Sequence, residues 1–310
     1  MVNEAGTKIA VVGIGKIARD QHLPSIERST EFELAAAVSR HGQVDGIDNY
    51  SNLETMLGER PDIPAIALCV PPEPRYEMAV AALNAGRHVL LEKPPGMTVG
   101  EVEALIQLAR EKNVTLFATW HSRFAPCVSP ARQWLAGKTI RHVEIVWKED
   151  VRRWHPGQAW IWEAGGFGVF DPGINALSIL TAIVPPVFVT RATLEVPENC
   201  QTPIAAKLGM RSLAGFDVAA DFDWRQEGPQ TWEIRVETDQ GLLVLADGGS
   251  RMSVDGDDHP GGLEAEYDGI YHRFAELLKM GAGDVDLAPL KLVADAFLLG
   301  RKVEVEAFND

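Results

Sequence analysis

Three short stretches of this sequence hold side chains whose types and spacing suit the removal of hydrogen from an alcohol. Gly13, Gly15 and Ala18 form a G-x-G-x-x-A turn directly after the apolar run TKIAVV. The first glycine permits a tight turn, the second lets the backbone approach a pyrophosphate, and the small third residue lets a helix pack on the strand. Lys16 and Ile17 stand at the start of that helix, where amide donors and the helix dipole favour phosphate. Glu92-Lys93-Pro94 follows the apolar run HVLL. In an open α/β sheet, ligands bind beyond the carboxyl ends of the strands, which puts Glu92 and Lys93 at the nicotinamide end of a dinucleotide. Oxidising an alcohol requires the hydroxyl proton to leave, and a lysine there can donate to that oxygen or relay its proton. In the third stretch, GGFGVFDPGINALSIL, Asp171 and Asn175 are four residues apart and share a face of a helix. Asp171 before Pro172 also reads as an N-cap, with proline at the first helical position.

Other residues bear on which molecules would bind. The second apolar run, ELAAAV, ends in Ser39 and Arg40. An acidic residue at that place would repel a 2′-phosphate, whereas a guanidinium and a hydroxyl can hold one. NADP is therefore expected to be preferred, with NAD tolerated. Trp154, His155, Trp160 and Trp162 cluster ahead of the glycine-rich run. Sugar rings have apolar faces that stack on aromatics and hydroxyls that need fixed partners. Trp154 is the first of these tryptophans expected to touch a sugar, and Glu149 and His155 are candidate hydroxyl partners. His121, at the exit of the last strand of the N-terminal domain, is expected to face the ligand crevice. The histidines show no H-E-x-x-H spacing. DGDDH at 255–259 lacks the length and the later glutamate of a calcium loop. It reads as a solvated turn, and no metal site is expected.

The elements that must hold these residues are legible in part. From residue 7 to about 119, short apolar runs alternate with helical segments, and such alternation implies a parallel sheet with right-handed crossovers. Beyond Thr119 the rhythm changes. A long strand is predicted over 140–151, then a tryptophan-rich loop, a helix from about Pro172, and strand after strand over 186–254. TDQG reads as a hairpin turn. Helices near 264–279 and 287–301 close the chain. The fold class is α/β: an N-terminal Rossmann domain over 1–122 and a C-terminal α/β domain over 123–310 with a large, open, mostly antiparallel sheet. A C-terminal helix is allowed to pack back on the first domain.

Composition narrows the partners. The 310 residues carry a formal net charge of −15 and are 46% hydrophobic. An acidic chain gains nothing from polyanions, so nucleic acid and anionic membrane are not expected partners. The three cysteines are widely spaced and imply neither a disulfide framework nor a zinc site. The N-terminus, where Glu4 precedes a short apolar run, lacks the features of a signal peptide. The uncharged run 172–190 contains Asn175 and Pro185-Pro186, so it reads as a buried helix that stops. A cytoplasmic location is the default expectation.

The chain resembles the Gfo/Idh/MocA family of oxidoreductases. The matching pieces are VVGIGKIA at 11–18, LEKPPG at 91–96 and GGFGVFDPGINAL at 165–177. Within that family it is similar to bacterial aldose 1-dehydrogenases acting on L-arabinose and D-galactose. TLFATWHSR at 115–123, KEDVRRWHPGQAWIWE at 148–163 and LVADAFLLGRKV at 292–303 carry that likeness. The resemblance implies oxidation of the anomeric hydroxyl of a pyranose to a lactone, with a hydride passing to NAD(P). It implies that Lys93 is the family lysine, followed by a proline that is often cis, and that a homodimer can form on the exposed face of the second sheet. The family usually has D-x-x-x-H, its histidine acting as base, but Asn175 stands at that histidine's place. Asparagine takes no proton at neutral pH. Proton handling is left to Asp171 or Lys93, and Asn175 is expected to position a sugar hydroxyl. The rival readings are a family dehydrogenase acting on a cyclitol or non-sugar alcohol, and an NADP-binding regulator without turnover.

Overall fold

Ile9 to Val12, the heart of the first apolar run, are at most 1% exposed, and a strand buried on both faces belongs in the middle of a parallel sheet. The computed structural model describes residues 6–262 and 265–309. Glu4 and residue 264, the expected start of a helix, lie outside the described residues. The chain divides into two compact units, Met1–His121 with Ala265–Leu287, and Ser122–Glu264 with Ala288–Asp310.

The first unit begins with β1 (Thr7–Val12), α1 (Leu23–Arg28), β2 (Phe32–Val38), β3 (Asp48–Tyr50), α2 (Leu53–Glu59) and β4 (Ala65–Leu68). It continues with α3 (Pro72–Asn84), β5 (His88–Glu92), α4 (Val99–Lys112) and β6 (Leu116–Thr119). All neighbouring strands are parallel, in the order β3-β2-β1-β4-β5-β6. This is the Rossmann arrangement, and the order reverses between β1 and β4, where ligands bind in such sheets. The helix after the glycine turn opens as a π-helical turn, Ala18–His22, before α1. β3 and α2 gave no periodic signal, because β3 is three residues long and mostly exposed.

The second unit starts with α5 (Val128–Leu135), β7 (Ile140–Lys148), α6 (Val151–Trp154) and α7 (Phe170–Ile183). β8 (Val187–Pro197), β9 (Ala205–Ser212), β10 (Asp217–Asp223), β11 (Thr231–Thr238), β12 (Gly241–Ala246), β13 (Arg251–Val254) and β14 (Asp257–His259) follow. After α8 (Glu266–Met280), the unit regains α9 (Ala288–Leu299) and β15 (Gly300–Val305). Its nine strands run β14-β13-β12-β11-β7-β10-β9-β8-β15. The sheet is antiparallel except at β7/β10 and β8/β15. Thr238 pairs with Gly241 across the β11–β12 hairpin, as the TDQG turn predicts.

Four local expectations need correction. The long strand stops at Lys148 rather than 151, because Asp150 accepts the Arg152 amide at 3.0 Å and caps α6. The helix expected from Pro172 begins at Phe170 with Val169 as its N-cap residue. DGDDH is only half a turn; Asp257–His259 add an exposed edge strand. α9 ends at Leu299, and the residues beyond it become β15, paired with a strand over 100 residues earlier in the chain. α8 groups with the first unit, the packing back that was allowed for a C-terminal helix. There Phe274 stacks on Phe32 and Phe117 at 5.6 and 6.1 Å.

Candidate functional site

In the first unit the glycine turn has the shape its sequence demands. Gly13 has φ +90°, its N–H donates to the Val38 carbonyl at 2.8 Å, and a Cβ there would sit 2.8 Å from Val70 Cγ1. At Gly15 a Cβ would meet no atom within 4 Å, so the backbone there is open to a ligand. Lys16 and Ile17 are exposed beside it, and the Lys16 ammonium is paired with Asp20. Ala18 is fully buried. This cradle fits a dinucleotide pyrophosphate. Ser39 N–H donates to Tyr50 O at 2.8 Å, and Ser39 Oγ accepts the Gly42 amide at 3.1 Å. Gly42 lies so close to Ile14 that a Cβ would be 2.8 Å from it. The loop bearing Ser39 and the exposed Arg40 thus rests on the glycine turn.

The lysine loop is held from beneath. The Lys93–Pro94 peptide bond is cis. Glu92, expected at the cofactor site, is 3% exposed, and its carboxylate is engaged inside the unit. Glu92 Oε1 accepts from Tyr267 Oη at 2.7 Å and pairs with His22 Nε2 at 3.1 Å, while Oε2 accepts the Lys93 amide at 2.6 Å. Arg75, which the sequence reading missed, is buried and donates to the carbonyls of Glu92, Pro94 and Val70. Its position in an ordinary helical stretch offers no signal; only the fold brings it to those carbonyls. His121 is drawn toward α8, with Nδ1 2.7 Å from Glu266 Oε2 and its ring stacked on Tyr267 at 5.6 Å.

This buried cluster has an electrostatic signature. Burial alone would raise the Glu92 pKa, but the His22 hydrogen bond and charge, the His121 charge and the Tyr267 hydroxyl outweigh it and hold it at about 2. Burial opposes charge on His22, yet Cys69, Tyr271 and Glu92 push its pKa well above the ordinary 6.5. Glu92 therefore stabilises the fold above its ordinary 4.5, and that contribution is lost as pH falls toward 2. The His22 contribution is complete below 6.5 and is lost as pH rises through its raised folded value. Glu92→Gln is expected to lower Tm most between these two ordinary values, and less at pH 3. Melting curves across pH would show this; a gap between the two proteins that stays constant from pH 3 to 8 would contradict it.

The second unit brings Glu149, His155 and Asp171 together. Asp171 does not cap α7. It lies in the first turn, only 4% exposed, and its carboxylate Oδ2 is 3.5 Å from His155 Nδ1. His155 Nε2 is 3.8 Å from Glu149 Oε1. Glu149, expected to meet a sugar hydroxyl, is 3% exposed and accepts the indole N–H groups of Trp224 and Trp232 at 3.1 and 2.8 Å. Neither tryptophan was singled out from sequence, since each lies on a distant strand or strand end.

α7 and the run before it fix Asp171 and Asn175. Gly168 has φ +52°, and a Cβ there would lie 2.3 Å from the Pro203 carbonyl oxygen, so the chain passes Pro203 only with glycine. Every α7 residue from Phe170 to Leu180 is buried except Asn175. Its half-exposed amide has no hydrogen-bond partner among the described residues. Trp154 is half-buried 5.4 Å from Trp232, and its Nε1 is buried without a partner among the described residues. Trp162 packs on Trp224 at 5.2 Å and on Phe308 at 5.5 Å, as a cover for the sheet. No aromatic contact engages Trp160 among the described residues. The second unit thus offers two buried carboxylates flanking one imidazole at 3.5 and 3.8 Å, with the Asn175 amide and Trp154 Nε1 lacking hydrogen-bond partners among the described residues. That set can accept a proton and hold hydroxyls.

Comparison with known proteins bears on these two halves. Residues 7–119 match the oxidoreductase family with an NAD-binding Rossmann fold. A galactose 1-dehydrogenase of Pseudomonas fluorescens is 44% identical over 304 residues, covering 98% of this chain and 99% of its own. The crystal structure of a D-galactose-1-dehydrogenase from Rhizobium etli superposes with a TM-score of 0.95 at 54% identity, covering 99% of both chains. A 3-ketoreductase from Actinomadura kijaniata, solved with TDP-benzene and NADP, has a TM-score of 0.82 over 97% of this chain and 99% of its own. At 18% identity it shares the fold alone.

Proposed function

The chain belongs to the Gfo/Idh/MocA oxidoreductase family, and from that premise we propose that it oxidises the anomeric hydroxyl of D-galactose or L-arabinose to the lactone with NAD(P). It is a sugar dehydrogenase. The observation that carries the reading is likeness to galactose 1-dehydrogenases along the full chain, with the Lys93 N–H held by Glu92 and Asp171 buried beside His155.

The bound dinucleotide would supply the hydride acceptor. The open backbone at Gly15, flanked by Gly13, Lys16 and Ile17, holds its pyrophosphate, and Ser39 and Arg40 hold a 2′-phosphate. Lys93 Nζ donates to the anomeric oxygen and stabilises the negative charge that develops there. The Asp171 carboxylate takes the hydroxyl proton, with His155 next along the same network. The Asn175 amide and Trp154 Nε1, both without hydrogen-bond partners among the described residues, hold sugar hydroxyls. Glu149 and His121 act behind the substrate, through His155 and α8. L-arabinose and D-galactose differ by one exocyclic group, which a pocket discriminates by only about 1–3 kcal/mol, so both are accepted. The reading includes a cytoplasmic location and a homodimer on the open sheet face.

Absorbance at 340 nm with a panel of aldoses and myo-inositol tests it. Reduction is expected with D-galactose and L-arabinose, faster with NADP, and not with myo-inositol. No reduction with any aldose despite tight dinucleotide binding would overturn the reading in favour of a regulator. Arg40→Asp is expected to lower kcat/KM with NADP by about tenfold or more, as loss of a charge-assisted contact and gain of repulsion require. Activity with NAD should be preserved. An unchanged NADP/NAD ratio would remove Arg40 from the site.

A further inference from the structure

The substrate chemistry leaves unused the most deeply buried set of ionisable groups in the first unit: His22, Glu92, Tyr267 and Tyr271, all at most 5% exposed. A buried ion costs several kcal/mol unless it is paired and hydrogen-bonded, and here the pairing is complete. Glu92 accepts from Tyr267 Oη at 2.7 Å and is paired with His22 Nε2 at 3.1 Å. His22 Nδ1 is 2.7 Å from Tyr271 Oη. The remaining carboxylate oxygen of Glu92 takes the main-chain N–H of Lys93 at 2.6 Å. Arg75 holds the carbonyls of Glu92 and Pro94 on either side. His22 closes the π-helical turn that follows the glycine cradle. One strut therefore joins the element that seats the pyrophosphate to the backbone that presents the lysine. The tyrosines reach it from α8, 175 and 249 residues from their partners.

We propose that the His22–Glu92 pair, clamped by Tyr267 and Tyr271, is a positioning device that aims Lys93 relative to the dinucleotide seat. None of the four side chains is exposed enough to touch a substrate, so they act through the Lys93 backbone. The proposal rests on the reading of Lys93 as the group that contacts the anomeric oxygen. Misplacing such a group by about 1 Å can cost around a hundredfold in rate.

Glu92→Gln, Tyr267→Phe and Lys93→Ala, alone and in combination with one another, are the variants to compare in the full chain. Glu92→Gln is expected to lower kcat about 10- to 100-fold while the sugar KM and the NADP Kd, read by fluorescence titration, move less than about threefold. Tyr267→Phe, which deletes one hydroxyl, should show the same pattern with a smaller loss, and it carries the test if Glu92→Gln does not fold. Amide hydrogen exchange at Lys93 should speed up in both, without cofactor present. The deuterium isotope effect at the anomeric carbon should rise. In a Lys93→Ala background Glu92→Gln should cost little more, because coupled residues are not additive. A Glu92→Gln loss that persists undiminished in that background, or that falls on KM and Kd instead of kcat, would make the cluster merely structural and overturn the proposal. If Lys93→Ala alone keeps kcat, the reading of Lys93 fails first and the positioning role with it.

Discussion

Lys93→Ala is expected to lower kcat with D-galactose by about a thousandfold, as loss of a single preorganised donor to a developing oxyanion does. NADP affinity should stay close to the starting value, because the groups assigned to the phosphates, Gly13 to Ile17 with Ser39 and Arg40, are untouched. The backbone hydrogen bond to Glu92 Oε2 should also hold, since alanine keeps the Lys93 N–H. Lys93→Arg is expected to recover little. Guanidinium is planar and bulkier, and it presents its charge at a different reach from a compact ammonium. Near-full kcat in Lys93→Ala, measured under NADP saturation, would remove the lysine from the chemistry.

Asp171→Asn should cost about 10²- to 10⁴-fold in kcat, the range for loss of a positioned acid–base group. The carboxylate is 4% exposed in the first turn of α7. There the His155 imidazole stands 3.5 Å away. Asparagine keeps the shape but accepts no proton. His155→Gln should lower kcat less than Asp171→Asn, since the imidazole lies one step behind the carboxylate. Near-full kcat in Asp171→Asn would transfer the proton to another group.

The roles of the two carboxylates most exposed to misreading show how site and fold are related. Glu92 and Glu149 stand next to functional residues in the chain, and each has been turned inward. Glu92 supports the lysine loop, and Glu149 gathers Trp224, Trp232 and His155. A carboxylate in a motif announces that charge is needed there. Whether the charge meets a ligand or an interior donor depends on groups brought from elsewhere in the fold. The same holds for Asp171. Its neighbour Pro172 suggested a cap, but α7 starts one residue earlier than Asp171, which releases the carboxylate toward His155.

What the sequence by itself determined was everything governed by local sterics and burial. The G-x-G-x-x-A turn, the apolar runs of β1, β4 and β5, and the alternation with helices specify a parallel Rossmann sheet, because consecutive apolar residues must be covered on both faces. TDQG specifies a hairpin because its backbone needs glycine at φ +121°. Asp171 and Asn175 share a helical face by spacing alone. Only tertiary structure decided which partners the buried charges found. Return of α8 to the first unit carries Tyr267 and Tyr271 to His22 and Glu92, and β15 runs parallel to β8 without any local mark in its sequence. Arg75 becomes the clasp of the lysine loop for the same reason. Periodicity records that a residue is buried, but a hydrogen bond is chosen by whichever donor the folded chain delivers within 3 Å, and that delivery is a property of the whole topology.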